Sequence, residues 1–97
     1  MFWGKVFVVK PDIVVAICDE NLLDKKIKTE KFDIEVNKNF YGDKLIDESL
    51  AITLMKKSTI GNLIGKDIID LAEKNGFITR ENIIFINGVP HAQFVKI

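Results

Sequence analysis

Apolar and β-branched residues open the chain. Phe2, Trp3, Val6, Phe7, Val8 and Val9 predict a strand over the first nine positions. Lys10-Pro11-Asp12 reads as a turn, because proline presets φ at the second turn position. Ile13 to Cys18 (IVVAIC) is a continuous apolar run too short for a helix, which predicts a strand buried on both faces. Together these segments predict an N-terminal β-hairpin. Asp19 ends the second strand and can cap a short helical turn through Leu22 and Leu23, followed by a charged, exposed connection from Lys25 to Lys31. Strict alternation marks Lys31 to Asn37 (KFDIEVN): Phe32, Ile34 and Val36 share one face and Asp33 and Glu35 the other, as in a half-buried third strand.

Phe40-Tyr41-Gly42-Asp43 reads as a turn carrying two aromatics. Asp47 is a good N-cap, and Leu50, Ala51, Leu54 and Met55 form the apolar stripe of a helix from Glu48 to about Lys57. A second helical pattern runs from about Ile60 to Asn75 and stops at Gly76. Its stripe (Ile60, Leu63, Ile64, Ile68, Leu71) lies roughly 120° from the first when the helical period is carried forward. One straight helix could not bury both, so a break is expected at Ser58-Thr59, where either hydroxyl can cap the second helix. Gly61, Gly65 and Ala72 line one flank of that helix, a stripe suited to close packing against a backbone or to the approach of a ligand.

The strongest local signal comes last. Asn87-Gly88 between the apolar runs Asn82 to Ile86 and Val89 to Lys96 specifies a two-residue hairpin, since both turn positions need positive φ. That register pairs Ile86 with Val89, Phe85 with Pro90, Ile84 with His91, Ile83 with Ala92 and Asn82 with Gln93. Pro90 lacks an N–H, so that side of its strand should meet an edge or a bulge.

The predicted fold is α+β in a single domain, residues 1–97. A mostly antiparallel sheet of about five strands (N-terminal hairpin, third strand, C-terminal hairpin) has two helices between them packed on one face. A hydrophobic share of 47% in 97 residues supplies one core, and 14 basic residues against 14 acidic leave no net charge. This balance excludes intrinsic disorder and argues against coating DNA or an acidic membrane by bulk charge. A single cysteine and a single histidine exclude an internal disulfide and a Cys/His zinc cage. No secretory leader and no apolar run long enough to span a bilayer are visible, so a cytoplasmic location is expected.

Four motifs now stand in order: Cys18-Asp19-Glu20 with Leu22-Leu23, Phe40-Tyr41-Gly42, Thr59-Ile60-Gly61-Asn62-Leu63-Ile64-Gly65, and Gly88-Val89-Pro90-His91-Ala92-Gln93. Together they resemble a small archaeal family known as domain of unknown function 424 (DUF424), over nearly the whole chain. One departure is Asp24, where a glycine is expected after the leucine pair. The resemblance implies an archaeal cytoplasmic protein of stand-alone domain size, and it implies no activity.

Candidate chemistry is sparse. Gly61 to Asp67 is not a phosphate loop: three residues separate its glycines, and Asp67 stands where Ser or Thr would hold magnesium. His91 is the one side chain that ordinarily titrates near neutrality, and the expected hairpin sets it beside Asn82 and Gln93. An imidazole flanked by carboxamides can read a nucleobase edge or orient a substrate, and it can equally be a satisfied structural group. Cys18, ending an apolar strand, reads as a buried, inert thiol. Asp33 and Glu35 share a strand face, as a metal pair or a merely solvated face would. Lys25, Lys26, Lys28 and Lys31 cluster, and Phe40 and Tyr41 could stack on unpaired bases, although Asp24, Glu30 and Asp33 blunt the field.

The favoured expectation is a non-catalytic module contacting RNA or a ribonucleoprotein through Asn82, His91 and Gln93, helped by Tyr41, Lys25 and Lys26. The alternatives are a protein-interaction subunit or homodimer using the C-terminal hairpin, and a small enzyme using His91. No catalytic residue is assigned, and no cofactor, metal or membrane partner is implied.

Overall fold

The computed structural model describes residues 1–97. The N-terminal hairpin forms as predicted: β1 (Phe2–Val9) runs antiparallel to β2 (Asp12–Asp19), from Phe2 opposite Asp19 to Val9 opposite Asp12. Three short elements follow, β3 (Lys26–Lys28), β4 (Asp33–Glu35) and the single helical turn α1 (Lys38–Tyr41), and then β5 (Lys44–Ile46). Next come α2 (Glu48–Lys57), β6 (Ile60–Ile64), α3 (Lys66–Lys74), β7 (Ile84–Ile86) and β8 (Val89–Val95). The main sheet has six strands in the order β5-β1-β2-β6-β8-β7, antiparallel except for the parallel pair β2–β6. The α+β class thus stands, with three α-helices and a small second sheet, β3–β4.

The main departure from expectation is β6. Ile60 to Ile64 was predicted as the start of a helix and is instead a central strand, flanked by β2 and β8. The pentapeptide fits both periods. Gly61 and Leu63 face one way and Ile60, Asn62 and Ile64 the other, while helical spacing also links Ile60, Leu63 and Ile64. Gly61 and two isoleucines tip the local balance from helix, and ladders on both sides decide it. Gly61, Gly65 and Ala72 are therefore not one helical stripe: Gly61 lies in β6, Gly65 in the turn after it, and Ala72 is buried in α3.

The break at Ser58-Thr59 is real, but neither hydroxyl caps a helix start. Ser58 Oγ donates back to Leu54 O at 2.7 Å, ending α2. Thr59 Oγ1 donates toward Asp12 and Ile13 and accepts from Ile13 N–H at 2.9 Å, pinning the start of β6 to β2.

The cap of α3 comes from the end of the neighbouring strand β2. Asp19, predicted to cap the turn after β2, makes no side-chain bond there. Its carboxylate accepts from Asp67 N–H at 2.9 Å and Ile68 N–H at 2.8 Å instead, satisfying two of the free donors at that helix start. Burial, assisted by the charges of Asp67 and Asp70, holds its pKa above the ordinary carboxylate value against the pull of those two bonds.

Helices α2 and α3 cover one sheet face, burying Val15, Ile17, Met55, Leu63, Ile68 and Phe94 among others. The opposite face is partly covered by β3–β4 and α1, around Ala16, Cys18, Ile27, Val36, Tyr41 and Ile64. The predicted third strand thus survives only as β4, paired with β3 outside the main sheet; Phe32, expected on its buried face, is exposed. The predicted aromatic turn is α1, whose Tyr41 side is buried. Asp24, the departure from the family pattern, has φ 65°, a left-handed conformation that aspartate tolerates and glycine adopts freely.

In the C-terminal hairpin, Asn87 (φ 48°) and Gly88 (φ 83°) make the predicted turn, with Ile86 opposite Val89, Phe85 opposite Pro90 and Ile84 opposite His91. Pairing stops there. Asn82 was expected opposite Gln93; it lies in a 3-10 turn (Arg80–Asn82) before β7, where its Oδ1 accepts from Thr79 N–H at 2.8 Å. Pro90 is tolerated inside the sheet because the N–H it lacks would face Gly65, just past the last β6 pair, whose carbonyl already accepts from Ile69 N–H of α3.

Candidate functional site

The site lies on the sheet face opposite α2 and α3. Cross-strand partners in a sheet share a face, so the pairs Asn62–Gln93 and Ile64–His91 line up along β6 and β8. Three polar side chains meet there. Tyr41 Oη–H donates to Asn62 Oδ1 at 2.7 Å, and His91 Nε2 lies 3.0 Å from the same oxygen. A carboxamide oxygen only accepts, so Nε2 carries the imidazole proton and Nδ1 is left as an acceptor.

Asn62 and His91 are half-buried and Gln93 is exposed. No buried side-chain polar atom lacks a partner, so the open hydrogen-bonding capacity of this cluster points to solvent. Burial lowers the His91 pKa below its ordinary value of 6.5, which keeps the ring neutral at physiological pH. Its partner is a carboxamide, not a carboxylate, so no acid–base relay is assembled.

That shift fixes a pH dependence. Below pH 6.5 the unfolded chain binds a proton at this ring that the folded chain resists, so the contribution is whole above pH 6.5 and lost as pH falls toward the depressed value. We expect a His91→Gln variant to show a smaller loss of thermal stability between pH 7.5 and 5.5 than the parent. Parallel melting curves at the two pH values would contradict the assignment.

The sequence-based candidates separate into groups. His91 and Gln93 share the open face, two residues apart on β8. Tyr41 is close to them through Asn62, but it is buried, its hydroxyl is used, and burial raises its pKa; it cannot stack on a base. Asn82 lies elsewhere. Phe40 packs on Phe7 with ring centroids 5.4 Å apart, and Lys5 Nζ sits 5.0 Å above the Phe7 ring. Lys25 and Lys26 are exposed and, with Lys28, line a cleft against Asn87 and Val89 at the hairpin tip. Val89 is two residues from His91 on the same strand face, so the lysine cleft adjoins the polar cluster.

Asp33 and Glu35 are exposed on β4, and no three His, Cys, Asp or Glu side chains gather as a metal site would require. Cys18 is fully buried, with its thiol pKa pushed up to about 12, chiefly by desolvation.

Asn62 is the residue that sequence reasoning missed. Its segment was read as the start of a helix. The available signal was the alternation Ile60, Asn62, Ile64 against Gly61 and Leu63.

Comparison with known proteins adds family and fold. A crystal structure of an uncharacterized conserved protein from Methanopyrus kandleri superposes with a TM-score of 0.81 at 20% identity, covering 99% of this chain and 93% of that one. No curated protein matches the chain in sequence. No helix is long and apolar enough to cross a membrane. The family model described as "Protein of unknown function (DUF424)" matches residues 9–97, and the chain belongs to that family.

Proposed function

We propose that the chain is a non-catalytic binding module that takes a short single-stranded RNA segment on the sheet face opposite α2 and α3. The observation that carries this reading is the double acceptance at Asn62 Oδ1 from Tyr41 and His91. It presets the carboxamide and the imidazole before any ligand arrives. His91 Nδ1 is an acceptor, Asn62 Nδ2 a donor, and the Gln93 carboxamide beside them supplies both. An array of donors and acceptors on an open sheet is suited to the edges of unpaired bases. Lys25, Lys26 and Lys28 flank it and would take the phosphates, giving weak, salt-sensitive affinity suited to a chain of zero net charge.

The test is fluorescence anisotropy with labelled mixed-sequence oligoribonucleotides at two salt concentrations. Each phosphate neutralised on a single strand contributes a slope of about −0.7 in log affinity against log salt. Lys25→Glu with Lys26→Glu should therefore flatten the slope by about 1.4. His91→Ala or Gln93→Ala should weaken binding roughly 10-fold without changing the slope, as expected for losing one hydrogen bond to a base. Affinity indifferent to salt and to all four residues would reject the reading.

A further inference from the structure

The sheet has two edges, and they differ. β5 ends one side with Lys44, a charged residue of the kind that discourages strand addition. β7 ends the other with Ile84-Phe85-Ile86, which has no charge, no proline and no bulge, and Phe85 is 70% exposed. Phe85 faces Pro90 in a non-hydrogen-bonded pair, since the pair next to a two-residue turn is the bonded one. Its N–H and C=O therefore point outward from the sheet.

We propose that β7 pairs with β7 of a second copy, antiparallel about a two-fold axis through Phe85, joining two sheets into one. This goes beyond the RNA reading and uses the β7 edge, which adjoins the face that carries His91. The register is set by the free backbone groups. Phe85 exchanges both its hydrogen bonds with Phe85 of the other copy, which sets Ile84 opposite Ile86 in both directions.

The apolar surface comes to about three-quarters of what a standard interface uses. Exposures of 70% at Phe85, 60% at Phe32 and 56% at Ile84 leave on the order of 350 Å² of apolar side chain along this edge. A standard interface buries ~800 Å² per partner, of which roughly 450 Å² is apolar. Phe32 and Ile34 of the small sheet flank Ile84 and Ile86 across a cleft, so the partner's isoleucines have apolar walls to meet.

Charge agrees with a self-complementary contact. The hollow beneath Phe85, toward α3, is lined by Lys66 and Arg80 together with Asp70 and Glu73, two of each sign. A surface of one sign would repel its own copy. Pairing β7 with β5 of another molecule would be head-to-tail and would not close, whereas β7 with β7 closes as a dimer.

Sedimentation across about 1 μM to 1 mM should show a shift from the mass of one chain to twice that mass. Phe85→Glu should hold the single-chain mass throughout with an unchanged circular dichroism spectrum. A second measurement needs no variant: protection of the Phe85 amide from hydrogen exchange should rise at least about 10-fold from the dilute to the concentrated sample. A single-chain mass at the highest concentration overturns the proposal and leaves the edge for a foreign strand. A dimer that survives Phe85→Glu, or one with the Phe85 amide unprotected, also overturns it.

Discussion

Gly65→Ala should destabilise the fold by about 4 kcal/mol, lowering the melting temperature by roughly 16–32 °C. Gly65 has φ 121° and ψ 150°, a region that only glycine occupies without cost; the strain on alanine is about 1–3 kcal/mol. An alanine Cβ would also lie 2.3 Å from Cγ of Asp19 and 2.6 Å from both carboxylate oxygens. That carboxylate cannot yield freely, because it holds Asp67 N–H and Ile68 N–H. Displacing it leaves two helix-start donors without partners, at roughly 1–3 kcal/mol for a buried group. The combined loss, about 4 kcal/mol, is a large share of the stability of a small domain whose total is typically ~5–15 kcal/mol. Thermal melts followed by circular dichroism decide the matter. A sigmoidal transition within a few degrees of the parent would mean that Gly65 and Asp19 do not meet as described. Asp19→Asn keeps one acceptor oxygen but turns an NH2 donor toward the other helix-start N–H, so it should cost roughly 1–3 kcal/mol.

Gly61→Ala should destabilise by about 3 kcal/mol, lowering the melting temperature by roughly 12–24 °C. The ring of Phe94 lies over Gly61 from the paired position on β8, and an alanine Cβ would fall 2.1 Å from Cε2 and 2.4 Å from Cζ. The ring itself is confined: it is 7% exposed and stacks on Phe77 with centroids 5.9 Å apart. At an unhindered strand position the same change would stabilise by roughly 0.4–1 kcal/mol through the unfolded chain, so the sign alone is informative. Phe94→Leu in the same chain should relieve the collision, with at least about 1 kcal/mol of favourable coupling in a double-mutant cycle. Strict additivity would contradict the close approach.

These two glycines also show what the sequence could convey. Both hairpins were legible, because a turn dipeptide and its flanking apolar runs are neighbours in the chain: Asn87-Gly88 specified its own register through His91. The helix at Glu48 was legible through Asp47 and its stripe. β6 was not, because Ile60 to Ile64 satisfies a helical and a strand period at once, and ladders with β2 and β8 decide between them. Asp19 was recognised as a cap but assigned to the wrong helix start, since its true partners lie 48 and 49 residues away. Asn82 carried the right chemistry, yet a local capping box with Thr79 claims its side chain before β7 begins. The site was therefore half legible: His91 and Gln93 could be placed from the hairpin, whereas Asn62, which orients the ring, depended on a strand that only the folded sheet defines.

The central functional claim is that Asn62 and His91, held in place by their hydrogen bonds, form a reading surface with the exposed Gln93 beside them. Nuclear magnetic resonance of the 15N-labelled chain, titrated with a short single-stranded oligoribonucleotide, tests it most directly. The account predicts that the His91 Nδ1 resonance and the side-chain amides of Asn62 and Gln93 move together while backbone amides of α2 and α3 stay still. Resonances of those three side chains unmoved at saturating RNA, or shifts confined to the helical side, would contradict it.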